Sequence, residues 1–124
     1  MKALVIDDSR AARFMVGNIM KELGFDVIQA EDGLQAVNEV KKNPQDLKIA
    51  LVDWNMPEMN GLEFVQTIVK EKLKDFKVMM VTTETEMMQV VKAMEEGADE
   101  YVMKPFTKDV LIDKLKILGF EIKG

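Results

Sequence analysis

Four separated segments of the chain each end an apolar run on residues that handle phosphate or a cation. They are Ala3-Leu4-Val5-Ile6 before Asp7-Asp8, Ile49-Ala50-Leu51-Val52 before Asp53, Val78-Met79-Met80-Val81 before Thr82-Thr83, and Tyr101-Val102-Met103 before Lys104-Pro105. In an open parallel sheet, ligands bind outside the carboxyl ends of the strands. If these runs are neighbouring parallel strands, three carboxylates, a hydroxyl and an ammonium meet on one rim. Carboxylates that close repel one another unless a cation neutralises them. Oxygen donors suit a hard divalent ion such as magnesium, manganese or calcium, and the backbone carbonyl of Asn55 could add a further ligand. A phosphoryl group in flight spreads charge over its equatorial oxygens, which a fixed Lys104 ammonium and a Thr82 hydroxyl would stabilise. The chemistry implied is cation-assisted phosphoryl transfer.

Each residue also has a plainer use. Asp8 could cap the first helix and Thr82-Thr83 the fourth, while Lys104 could be a solvated loop lysine. Their arrival at successive strand ends is what favours a shared site.

The elements that must position them alternate regularly. Ala12, Val16, Ile19 and Leu23 recur at helical spacing and Gly24 offers a left-handed stop. Val27-Ile28 makes a second strand, followed by a helix through Leu34, Val37 and Val40 that Asn43-Pro44 closes. A turn through Asn55-Met56-Pro57 to Asn60-Gly61 precedes a third helix bearing Leu62, Val65, Ile68 and Val69. Met87, Val90, Val91 and Met94 mark a fourth helix before Gly97, and Thr107 N-caps a fifth through Leu111, Leu115 and Leu118. Met87 and Met88, being adjacent, cannot both face a core fully. This fivefold βα alternation is expected to form a doubly wound α/β domain with helices on both faces of a parallel sheet. The order 2-1-3-4-5 would place strands one and three, ending in Asp7-Asp8 and Asp53, at the topological switch point.

The 124 residues are expected to form one domain, 1–124, and the 48% of hydrophobic residues supply its core. A net charge of −5 argues against nucleic acid. No run of about 18 apolar residues and no signal-peptide pattern is present, so a cytoplasmic location off the membrane is expected. Zero cysteines and zero histidines exclude thiol chemistry, a Ser-His-Asp triad, a zinc-histidine site and a phosphohistidine on this chain.

Taken together, Val5-Ile6-Asp7-Asp8, Glu31-Asp32-Gly33, Asp53-Trp54-Asn55-Met56-Pro57 with Gly61-Leu62, Val81-Thr82, Gly97-Ala98 and Tyr101-Val102-Met103-Lys104-Pro105-Phe106 resemble the receiver domain of a two-component response regulator. The likeness spans essentially the whole chain and is greatest to stand-alone, chemotaxis CheY-type receivers. It implies a flavodoxin-like (βα)5 fold with Asp53 as phosphoacceptor and a magnesium ion on Asp7, Asp8, Asp53 and the Asn55 carbonyl. Lys104 and Thr82 would contact the phosphoryl group, Thr82 and Tyr101 would form a switch pair, and Lys104-Pro105 would be cis. Asn55 and Glu84 would tune the phosphoryl lifetime. The implied partners are a histidine kinase as donor and a protein target on the face of helix four, strand five and helix five, with the chain itself a monomer.

Such a chain catalyses only its own phosphorylation and dephosphorylation. An aspartyl-nucleophile phosphatase needs an acid two residues after the nucleophile, where Asn55 stands, and a substrate-covering cap for which this chain has no length. A flavin module needs a phosphate loop where Asp7-Asp8 would repel an anion. Met1 directly before the first strand favours a natural start, with excision from a longer parent as the alternative. Where motor-binding chemotaxis receivers typically carry lysines near helix four, this chain has Glu84, Glu86 and Met87, and Ser9-Arg10 stands where an aromatic is common. A stand-alone receiver in a different phosphorelay is therefore the alternative.

Overall fold

The computed structural model describes residues 1–42, 45–54, 59–83 and 87–122. The expectations placed on Asn43-Pro44, Asn55-Met56-Pro57, Glu84 and Glu86 lie outside the described residues. In chain order the elements are β1 (Lys2–Ile6), α1 (Arg10–Glu22), β2 (Asp26–Ala30), α2 (Gly33–Lys42), β3 (Leu47–Asp53), α3 (Gly61–Lys70), β4 (Lys77–Thr82), α4 (Met87–Glu96), β5 (Glu100–Met103) and α5 (Lys108–Ile117). All strands are parallel and their order is β2-β1-β3-β4-β5.

Because side chains alternate across a strand, each central strand feeds two cores. Leu4, Ile6, Ala50, Val52, Val78 and Met80 pack with α2, α3 and α4 through Val37, Phe64, Val65, Ile68 and Ala93. Ala3, Val5, Ile49, Leu51, Met79 and Val81 pack with α1 and α5 through Val16, Met20, Leu111 and Leu115. A sheet covered on both faces requires near-continuously apolar strands, and the central three are apolar over residues 3–6, 49–52 and 78–81. At the outer position β2 is half-exposed over most of its length.

The helix ends follow from local chemistry. Gly24 has φ of +99°, a left-handed conformation that glycine adopts without penalty. Asn60 caps α3 in a reciprocal capping box: its Oδ1 accepts the Glu63 N–H at 2.9 Å and Glu63 Oε1 accepts the Asn60 N–H at 3.1 Å. Thr107 caps α5 by accepting the Val110 N–H. Met87 is half-buried, whereas Met88 is 81% exposed. Among the described residues no helix is long and apolar enough to cross a membrane.

Candidate functional site

Strand register brings the site together. Ile6 pairs with Val52, so the next residues, Asp7 and Asp53, leave the sheet side by side. Asp53 pairs with Val81 and Thr82 with Met103, which sets Thr82 and then Lys104 stepwise along the same rim. The Lys104 N–H donates to the Thr82 carbonyl at 2.6 Å and the Trp54 N–H to the Val81 carbonyl at 3.3 Å, tying adjacent strand ends.

One carboxylate oxygen each from Asp7, Asp8 and Asp53 lies within 4.8 Å of the others. Asp7 and Asp53 are buried and Asp8 is exposed, so the cluster opens to solvent on one side. Asp7 Oδ1 accepts the Ser9 N–H at 2.8 Å. The Lys104 ammonium bridges the other two oxygens, 3.3 Å from Asp7 Oδ2 and 3.3 Å from Asp53 Oδ1. Burial pulls the lysine pKa down, but the Asp53 and Asp7 carboxylates outweigh it by charge and hydrogen bonding and hold it above its ordinary value of 10.5. Lys104 is thus a fixed cation across the neutral range. Three oxygen donors around an opening fit a hard divalent ion completed by water and phosphate oxygens.

Asp8 does not cap α1. Ser9 does, its hydroxyl accepting the Ala12 N–H at 3.2 Å, which leaves the Asp8 carboxylate with the cluster. Close backbone approach fixes the far side of Asp53. The Gly61 N–H donates to the Trp54 carbonyl at 3.0 Å, and a Cβ at Gly61 would come within 2.8 Å of Met80 Cε and 3.0 Å of the Asp53 carbonyl oxygen. Glycine there lets α3 begin against the end of β3.

Thr82 is fully buried, and its hydroxyl donates to the Thr83 carbonyl at 3.2 Å. Tyr101 is half-buried against the core under α3 and α4. The Lys114 ammonium sits 4.5 Å from its ring centroid and 3.4 Å from Glu100 Oε1. The Lys104-Pro105 peptide is cis. Beside Lys104 an apolar cleft of about 460 Å³ runs between α1 (Met15, Val16, Ile19) and Pro105-Phe106.

Arg13 escaped the motif-based assignment of site residues. It is buried on α1 and donates from Nη1 to the Asp7 carbonyl at 2.7 Å. Its only sequence signal is an arginine in helical register with the buried stripe Val16 and Met20.

The response regulator receiver domain family matches this chain over residues 3–116. The "Chemotaxis protein CheY homolog" of Campylobacter jejuni is 44% identical over 122 residues, 96% of this chain and 93% of the relative. The "Chemotaxis protein CheY1" of Helicobacter pylori is 40% identical over 120 residues, 95% of this chain and 96% of the relative. The high-resolution structure of the chemotaxis response regulator CheY4 of Vibrio cholerae superposes with a TM-score of 0.84 at 31% identity, covering 94% of this chain and 97% of that one. With the sheet order, the rim of acids and the lysine already in place, this chain belongs to the response regulator receiver domain family.

Proposed function

We propose that the chain, as a single receiver domain, is a phosphorylation-activated switch of a chemotaxis-type phosphorelay in the cytoplasm. The observation that carries this is the Lys104 ammonium held 3.3 Å from both the Asp7 and the Asp53 carboxylates at the rim. Asp53 is the nucleophile. One of its oxygens forms the new O–P bond as the N–P bond to a donor imidazole breaks, and the imidazole leaves taking up a proton. These 124 residues contain no histidine, so the donor imidazole lies outside them, on a histidine kinase. Asp7, Asp8 and Asp53, with the Asn55 carbonyl, would hold magnesium, which would supply the charge neutralisation that lets a phosphoryl group approach a carboxylate. Lys104, already held against Asp53, would stabilise the transferring oxygens with a fixed positive charge.

Phosphorylation then biases a two-state element. The Thr82 hydroxyl leaves the Thr83 carbonyl for a phosphoryl oxygen, and the Tyr101 ring turns into the space released. The target docks on α4, β5 and α5, where Met88, Val91 and Met103 are exposed. Exposed methionines suit an adaptable protein surface. The acyl phosphate hydrolyses, and Asn55 and Glu84 set how fast. Replacing both by alanine is expected to lengthen the phosphoryl half-life in a single-turnover decay. An unchanged half-life contradicts that role.

Trp54 adjoins the nucleophile and reports on it directly. Its fluorescence is expected to change on adding magnesium and again on adding acetyl phosphate. A protein that shows neither response nor labelling contradicts the proposed function.

A further inference from the structure

Arg13 carries a buried charge that the phosphoryl chemistry does not use. It lies on α1, is 7% exposed, and spends its guanidinium on three groups. Nη1 donates to the Asp7 carbonyl at 2.7 Å, Nε donates to Gln29 Oε1 at 3.2 Å, and Nη2 lies 4.0 Å from Glu31 Oε1. A buried guanidinium is costly unless its donors are matched. Here the match is to the backbone of the acidic pair. The Asp7 carbonyl belongs to the peptide that joins Asp7 to Asp8, so holding it fixes the plane from which both side chains project. The other end of that residue is pinned as well: the Asp7 N–H donates to the Ala30 carbonyl at 3.2 Å, and Ser9 and Lys104 each engage one of its carboxylate oxygens. Gln29 immediately precedes Ala30 on β2. Arg13 therefore clamps the exit of β1 to β2 and α1 at one point.

We propose that Arg13 is a positioning residue for the cation half of the site, holding the Asp7–Asp8 peptide in the orientation that presents both carboxylates to one ion. The inference rests on the cation reading given above. A planar fork reaches the carbonyl and Gln29 together, whereas the single ammonium of a lysine satisfies one of them. Partners that orient metal ligands from behind typically govern affinity by about 10- to 100-fold. Arg13→Lys is expected to weaken magnesium binding by about tenfold and Arg13→Met by at least as much. Gln29→Ala, at an exposed position, falls between the wild type and Arg13→Lys. Glu31→Gln, at the long and solvent-exposed contact, changes little.

The test is calorimetric titration of each variant with magnesium chloride, on protein verified as folded by circular dichroism. Raising magnesium is expected to restore the acetyl phosphate labelling rate of Arg13→Lys to that of the wild type, since Arg13 touches no reacting atom. A purely structural Arg13 would lower the melting temperature and leave the dissociation constant of the folded protein unchanged, and that result overturns the proposal. If the Arg13 variants do not fold, an unchanged affinity in Gln29→Ala overturns it. Absence of magnesium binding by the wild type overturns the cation reading and this inference with it, whereas normal wild-type binding with unaltered variants overturns the role of Arg13 alone.

Discussion

Asp53→Asn is expected to abolish labelling by acetyl phosphate while leaving the fold intact. The substitution keeps the size of the side chain and one carbonyl oxygen but removes the carboxylate proposed as the nucleophile. An amide does not form the acyl phosphate, so the loss should be complete rather than graded. Asp7 and Asp8 still offer two carboxylates, so magnesium binding should weaken without vanishing. The Trp54 response to magnesium is then expected to persist in part, and the response to acetyl phosphate to disappear. Separating the two signals in one protein distinguishes loss of the nucleophile from collapse of the site. Residual labelling at the wild-type rate would place the phosphoacceptor elsewhere.

Lys104→Met should separate ion binding from chemistry in the opposite sense. The ammonium lies 3.3 Å from both the Asp7 and the Asp53 carboxylates and is charged well beyond neutral pH. Its raised pKa means that the stability it contributes is fully present below the unfolded lysine value and is lost only as pH rises through the folded one. Stability differences between wild type and variant should therefore stay level across the neutral range. Removing the ammonium leaves the like charges of Asp7 and Asp53 facing one another with less compensation. For a fully buried pair that costs about 3–5 kcal/mol. Lys104 is 31% exposed, so solvent screening reduces the cost to about 1–2 kcal/mol.

Added magnesium should recover most of that loss, because a divalent ion supplies the positive charge the carboxylates lack. It should also bind several-fold more tightly to the variant, since no ammonium repels it. Phosphorylation should nevertheless slow by about 10²-fold, the scale of removing one preorganised charge from a transition state. Tighter ion binding with slower chemistry is a combination that a merely damaged site does not produce. Chemical denaturation with and without magnesium, together with the labelling rate, measures all three effects.

Much of the site was legible because a parallel sheet exports the last residue of each strand to a common rim. Apolar runs ending at Ile6, Val52, Val81 and Met103 therefore announced where Asp7, Asp53, Thr82 and Lys104 would lie. The outer position of β2 was legible in its weaker apolar content, and the end of α1 in Gly24. Side-chain partnerships were harder to see. Asp8 and Ser9 are both good helix caps by residue type, and only backbone geometry selects Ser9 and releases Asp8 to the acidic cluster. Arg13 shares the register of Val16 and Met20, but helical periodicity does not say that its guanidinium would bond the Asp7 carbonyl. The adjacent Met87 and Met88 showed that one must face out, and the orientation of α4 decided that it is Met88. Asp99 gave no signal at all: its carboxylate accepts the Val78 N–H at 2.8 Å and pairs with Lys74 at 2.9 Å, far along the chain from either in sequence.

The most direct test of Asp53 as phosphoacceptor is chemical trapping of the acyl phosphate. Wild-type protein is incubated with magnesium and acetyl phosphate, reduced with borohydride, digested and mapped by mass spectrometry. The reduced residue is expected at position 53 alone, and only when both magnesium and the phosphodonor are present. Reduction at Asp7 or Asp8, or no trapped residue under those conditions, would contradict the assignment.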